Sequence, residues 1–130
     1  MKQKNELRIA VASTQTEKEQ LISLRTRVYR QVGKHSSPQT MTDIFDEKAL
    51  IVGVWKNDKP IATARVLALD ASEEWEHDRF IKWDDSLPNR EETAEISRFC
   101  IDYRERSYET IKALCFGIAV AGKHQAQIFF

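Results

Sequence analysis

The sequence predicts one α/β domain of the mixed-sheet, α+β kind. Three observations point there: a length of 130 residues, short apolar runs of strand character between two segments of helical periodicity, and the order strand, helix, hairpin, strand, helix, strand. Domains cluster at roughly 100–150 residues, so residues 1–130 hold one core and not two. The first strands should pair antiparallel through the hairpin. The closing strand–helix–strand unit should add a parallel, right-handed crossover.

Taken in order, Leu7 to Ser13 alternates as a first strand. Thr16-Glu17-Lys18-Glu19 has the form of a capping box, in which Thr16 accepts from the Glu19 N–H and Glu19 reaches back. A helix is therefore expected over about 17–32. Leu21, Ile22, Leu24, Val28, Tyr29 and Val32 form its apolar stripe and Gly33 its stop. Lys34 to Thr42 has no periodicity and reads as a loop. Ala49 to Trp55 and Ile61 to Leu69 flank the turn residues Asn57-Asp58-Lys59, a hairpin pattern. Asp70 to Glu92 is charged and irregular, with a short helix or excursion expected. Ala94 to Asp102 is the next strand. A second helix follows, with Ile111, Leu114, Cys115, Ile118 and Ala119 as its inward face and Gly122-Lys123 as its end. Gln125 to Phe130 reads as a last strand. Its apolar finish, Ile128-Phe129-Phe130, is expected to be buried, paired with another chain, or left by a cut within a longer fold; the last is the favoured reading.

Lysine plus arginine and aspartate plus glutamate each total 20, so no net field draws the chain to nucleic acid or anionic lipid. No apolar run approaches the ~18 residues a membrane span needs, and Arg8 interrupts the only candidate for a secretory leader. The expected compartment is the cytoplasm. Cys100 and Cys115 lie in apolar periodic segments and read as buried thiols. His35, His77 and His124 are scattered away from any ligand spacing, and no nucleophile elbow or phosphate-binding glycine loop is present. No metal is expected.

Four features could carry chemistry. Arg25 and Tyr29 share a face of the first helix, and Asp43-Ile44-Phe45-Asp46-Glu47 precedes the hairpin. Arg65 stands among the small or apolar residues Ala62, Thr63, Ala64 and Val66, where a charge needs a partner. Glu95-Ile96-Ser97-Arg98 lies on the later strand. One reading is a partly buried ion-pair network in which Arg65 or Arg98 meets Asp43, Asp46 or Glu95. The other is a desolvated carboxylate beside arginines acting as base toward an amine. The two readings are compatible. On an ideal strand Glu95, Ser97, Phe99 and Ile101 face one way and Ile96, Arg98 and Cys100 the other, so Glu95 and Arg98 meet only through a bulge or twist.

These residues carry a resemblance. Arg25-Thr26-Arg27-Val28-Tyr29, Asp43-x-x-Asp46, Ala64-Arg65-Val66 and Glu95-Ile96-Ser97-Arg98-Phe99-Cys100-Ile101 occur in order over about residues 20–130. In this the chain resembles the GNAT N-acyltransferase superfamily, and within it the branch of acyl-homoserine-lactone synthases and N-acyl amino acid synthases. The resemblance implies a GNAT-like fold lacking its C-terminal strands. It also implies acyl transfer from a thioester, on coenzyme A or an acyl carrier protein, to a small-molecule amine such as an amino acid or homoserine derivative, with no tightly bound cofactor. Glu95 would be the general base, with Arg98 and Asp46 completing the catalytic group. Arg25, Tyr29, Asp43 and Arg65 would contact substrate. Phe99, Cys100, Ile101, Arg106 and Ser107 would receive the donor.

The departures refine this expectation. Typical acetyl-coenzyme A enzymes place glycines after this strand to wrap a pyrophosphate. Here Arg106-Ser107-Tyr108-Glu109-Thr110-Ile111 sets Glu109 and Ile111 at those positions, which favours a carrier-protein donor with its single phosphodiester. His35 stands where the lactone synthases usually have tryptophan, so long-chain acylation of another amine fits as well as lactone formation. The alternative is a catalytically incomplete thioester-binding or assembly domain that pairs as a homodimer through its terminal strand.

Overall fold

The computed structural model describes residues 6–33, 42–68, 82, 84–87 and 93–125, with side chains in the last stretch described as far as Gly122. In chain order the elements are β1 (Leu7–Val11), α1 (Gln15–Gln31), β2 (Leu50–Lys56), β3 (Lys59–Leu67), β4 (Glu95–Ile101), a short 3₁₀ turn (Tyr103–Glu105) and α2 (Tyr108–Gln125). The mixed α/β class is as the sequence predicts. The sheet has the order β1-β2-β3-β4, and every pairing is antiparallel. The expected parallel crossover depends on residues 126–130, which lie outside the described residues, as do the loop over 34–41 and most of the excursion over 70–92. Among the described residues no helix is long and apolar enough to cross a membrane.

α1 starts earlier than its sequence pattern suggests. Its N-cap is Thr14, whose side-chain oxygen accepts from the Glu17 N–H at 3.1 Å, not Thr16 with Glu19. Glu17 in turn accepts from the Ser13 backbone N–H at 3.0 Å, and that bond helps hold its carboxyl below the usual carboxylate range. At the other end Gly33 adopts φ +74°, the left-handed conformation that stops the helix at little steric cost. The hairpin turn is made by Asn57 and Asp58 at φ 51° and 66°, the pair of positive angles that a two-residue turn requires, and Lys56 pairs with Lys59.

Strand alternation sends two different surfaces to the two helices. Val52, Val54, Ala62, Ala64, Val66 and Ile101 pack with Ala113, Leu114, Ile118 and Ala121 of α2. On the α1 side, Leu21 meets Ile51 and Trp55, while Leu24 and Val28 meet Cys100. The inward face of α2 differs from the expected one. Leu114 and Ile118 are buried as predicted, but Ile111 and Cys115 are exposed, and Thr110, Ala113, Gly117 and Ala121 take their place. Small residues win because the helix lies close to the sheet: a Cβ on Gly117 would sit 2.7 Å from Val52 Cγ1 and 2.8 Å from Ile9 Cγ2. Gly122 does not end the helix either. It is buried, and the helix continues to Gln125, since an interior glycine costs only about 1 kcal/mol.

Candidate active site

The site is organised by an irregularity in β4. Arg65 pairs with Ser97 and Thr63 with Cys100, so two steps along β3 are matched by three along β4. The extra residue is a β-bulge, and Arg98 within it has φ 53°. A bulge resets which face the later residues take. Before it, Glu95 and Ser97 share the α1 side with their partners Leu67 and Arg65; after it, Cys100 lies opposite Thr63 and also packs on α1. Ile101 goes to the α2 core, away from Glu95, where an unbulged strand would have put them together. A bulge, the condition set for Glu95 and Arg98 to meet, is therefore present, and Arg98 within it donates to Asp43.

Around it lies a buried ionic network. Arg25 and Arg65 are fully buried. Arg25 Nη1 donates to both oxygens of Asp46 at 3.0 and 3.1 Å, so this helix residue is anchored by the segment before the hairpin. Arg65 Nη1 donates to Asp43 at 2.6 Å and reaches Asp46 at 3.4 Å, while its Nε donates to Ser97 Oγ at 3.0 Å. Arg98 Nη2 donates to the other Asp43 oxygen at 2.8 Å. The segment is folded so that its carboxylates can do this: the Asp43 N–H donates to Asp46 and the Phe45 N–H to Asp43, both at 2.9 Å. Burial alone would raise the Asp43 pKa. Arg65, then the Phe45 N–H and Arg98, together outweigh it, so the carboxyl is held below its ordinary value. The expected network of Arg65 and Arg98 with Asp43 and Asp46 exists, and Arg25 belongs to it.

Beside the network, the C-terminal half of α1 and the end of β4 enclose a cleft of about 320 Å³ lined by Val28, Tyr29, Val32, Phe99, Cys100, Ile101 and Arg106. Burial raises the phenol pKa of Tyr29, so the group stays protonated at neutral pH. Burial likewise pushes the Cys100 thiol up to about 12. Ser107 stands at the start of α2, where its Oγ accepts from the Thr110 N–H at 3.2 Å, and Glu109 is exposed in the first turn.

The predicted residues thus fall into two adjoining groups. Arg25, Asp43, Asp46, Arg65 and Arg98 form the ionic network, with Glu95 buried on the same side of the sheet. Tyr29, Phe99, Cys100, Ile101 and Arg106 line the cleft. Ser107 is outside its lining and serves the helix start. Sequence reasoning gave no role to Val28 and Val32, or to Ser97, the partner of Arg65 Nε. The helical period already set Val28, Tyr29 and Val32 on one stripe, and only the strand docking beside it makes that stripe a wall.

Comparison with known proteins adds one finding. The family model described as an acetyltransferase (GNAT) domain matches residues 24–115, a span that contains every residue of both groups. No curated protein matches the chain. A match over most of the chain, together with the bulged strand and its cleft, shows that this protein belongs to the GNAT acetyltransferase family.

Proposed function

We propose that the chain moves an acyl group from a thioester to the amine of an amino acid or homoserine derivative, with an acyl carrier protein favoured over coenzyme A as donor. The observation that carries this reading is the cleft between α1 and the bulged end of β4. A bulge takes backbone groups out of the sheet ladder, which leaves them for a bound chain. In this reading the Phe99–Ile101 backbone holds the donor arm, and an N–H there donates to the oxygen on which negative charge develops. Glu95 takes the proton of the attacking amine, through a water. The amine nitrogen bonds to the acyl carbon, the carbon–sulfur bond breaks, and the departing thiolate takes up a proton.

Cys100 lines the same cleft but remains a thiol, given its pKa of about 12. Direct transfer to the amine is therefore favoured over an acylated cysteine. Arg98, Arg65 and Asp46 hold the geometry, and Arg25 does so through Asp46. The carrier-protein preference is supported by the start of α2. Ser107 already occupies the Thr110 N–H, and the carboxylate of Glu109 stands in the first turn, where a pyrophosphate would otherwise be drawn.

The test is amine-dependent thiol release from acyl-carrier-protein and acyl-coenzyme A donors across a set of amino acids. Release that needs the amine and is faster with the carrier is the expected result. No release with any donor would overturn the reading, and binding of donor without turnover would favour the incomplete domain instead.

A further inference from the structure

An ion pair joins the two walls of the cleft directly. Arg27 Nη2 on α1 donates to Asp102 Oδ2, just past β4, at 3.1 Å. Each partner is next to the cleft lining: Arg27 precedes Val28, and Asp102 follows Ile101. Asp102 is itself held firmly. Its N–H donates to the Ile61 carbonyl at 2.8 Å, and its Oδ1 accepts from the Arg104 N–H at 3.1 Å to start the 3₁₀ turn that leads to Arg106. The Asp102 side chain is 8% exposed and that of Arg27 is 48% exposed. One end of the tie is anchored in the sheet and the other reaches over from the helix. The far side of the same gap is tied by Arg25, Asp46, Arg65, Asp43 and Arg98.

We infer that Arg27 and Asp102 are a positioning pair that sets the spacing of α1 from the end of β4, and through it the fit of the donor thioester in the cleft. Neither residue lines the cleft. Loss of the pair lets the helix and strand part at that end, exposing Cys100 and loosening the grip of Tyr29 and Phe99 on the donor. The chemistry at Glu95 is left as it was. The kinetic consequence rests on the acyl-transfer reading; the change in spacing does not.

The test uses Cys100 as a reporter, in a Cys115→Ser background that removes the exposed thiol. Arg27→Met, Asp102→Asn and the double variant are compared for the rate at which a maleimide labels Cys100. Each single change should speed labelling by about two- to fivefold, the range expected for a part-exposed ion pair, and the double variant should be no faster than the singles. Asp102→Asn keeps an oxygen for the Arg104 N–H, so it carries the test if Arg27→Met does not fold. In thiol-release assays the donor KM should rise by a similar factor with kcat and acceptor KM unchanged. Unchanged labelling, additive single effects, or a fall in kcat at constant donor KM would each overturn the positioning role. If the wild type releases no thiol from any donor, the acyl-transfer reading fails, and the labelling rates still decide the pair.

Discussion

The two faces of the sheet are built from alternate residues of the same strands, yet one is apolar and the other ionic. On β3, Ala62, Ala64 and Val66 pack against α2, while Thr63 and Arg65 look toward α1. The α2 face is held by area and close approach, with Leu114 fully buried and Gly117 against Val52. The α1 face instead encloses the guanidinium groups of Arg25 and Arg65 with two aspartates from a segment outside the sheet. Charges held this way cost desolvation, and only good geometry repays it. The difference teaches that the α2 side makes the scaffold while the α1 side gathers the candidate site residues, with the β4 bulge as the point where the faces are reassigned.

The comparison breaks most sharply at Asp46. Asp46→Ala leaves Arg25 buried without its bidentate partner and should cost about 3–5 kcal/mol in urea unfolding. On the other face Leu114→Ala should cost about 2–5 kcal/mol by leaving a cavity, but kcat should stay within about twofold wherever the protein is folded, because no charged contact moves. Gly117→Ala tests close approach; its Cβ must push Val52 and Ile9 aside, for a loss of about 1–3 kcal/mol in the same measurement. Asp43→Asn should cost less than Asp46→Ala, about 1–2 kcal/mol at neutral pH, because the side chain is 26% exposed and the amide oxygen can still accept from the buried Arg65.

Asp43 also has a pH signature. Its folded pKa is depressed, so its contribution is complete above the ordinary value of 3.8 and is lost as pH falls through the folded value. Unfolding curves of wild type and Asp43→Asn should therefore differ near neutral pH and converge as pH falls below the ordinary carboxylate value.

What was legible in the sequence follows from how local each signal is. The hairpin reads directly, since Asn57 and Asp58 supply the turn and the flanking runs supply the strands. The bulge is legible only on the condition that Glu95 and Arg98 act on one side of the sheet, which an ideal strand forbids. The inward face of α2 is misread because periodicity counts Ile111 and Cys115 as apolar positions of the stripe, whereas the sheet selects Ala113, Gly117 and Ala121 for their lack of bulk. The ionic pairings are the least legible. Arg65 and Asp43 are 22 positions apart, Arg98 and Asp43 are 55 apart, and Arg27 and Asp102 are 75 apart. A single sequence shows such residues as candidates and leaves their choice of partner to the fold.

The central claim is that the α1 side carries the chemistry through Glu95, a buried carboxylate on the strand that enters the bulge. Its most direct test is the rate of amine-dependent thiol release by Glu95→Gln against wild type, with thermal unfolding of both followed to establish that the variant is folded. A folded variant slowed by about 10²-fold or more is the predicted result, the size expected when a general base is lost. A folded variant that releases thiol at the wild-type rate would contradict the claim.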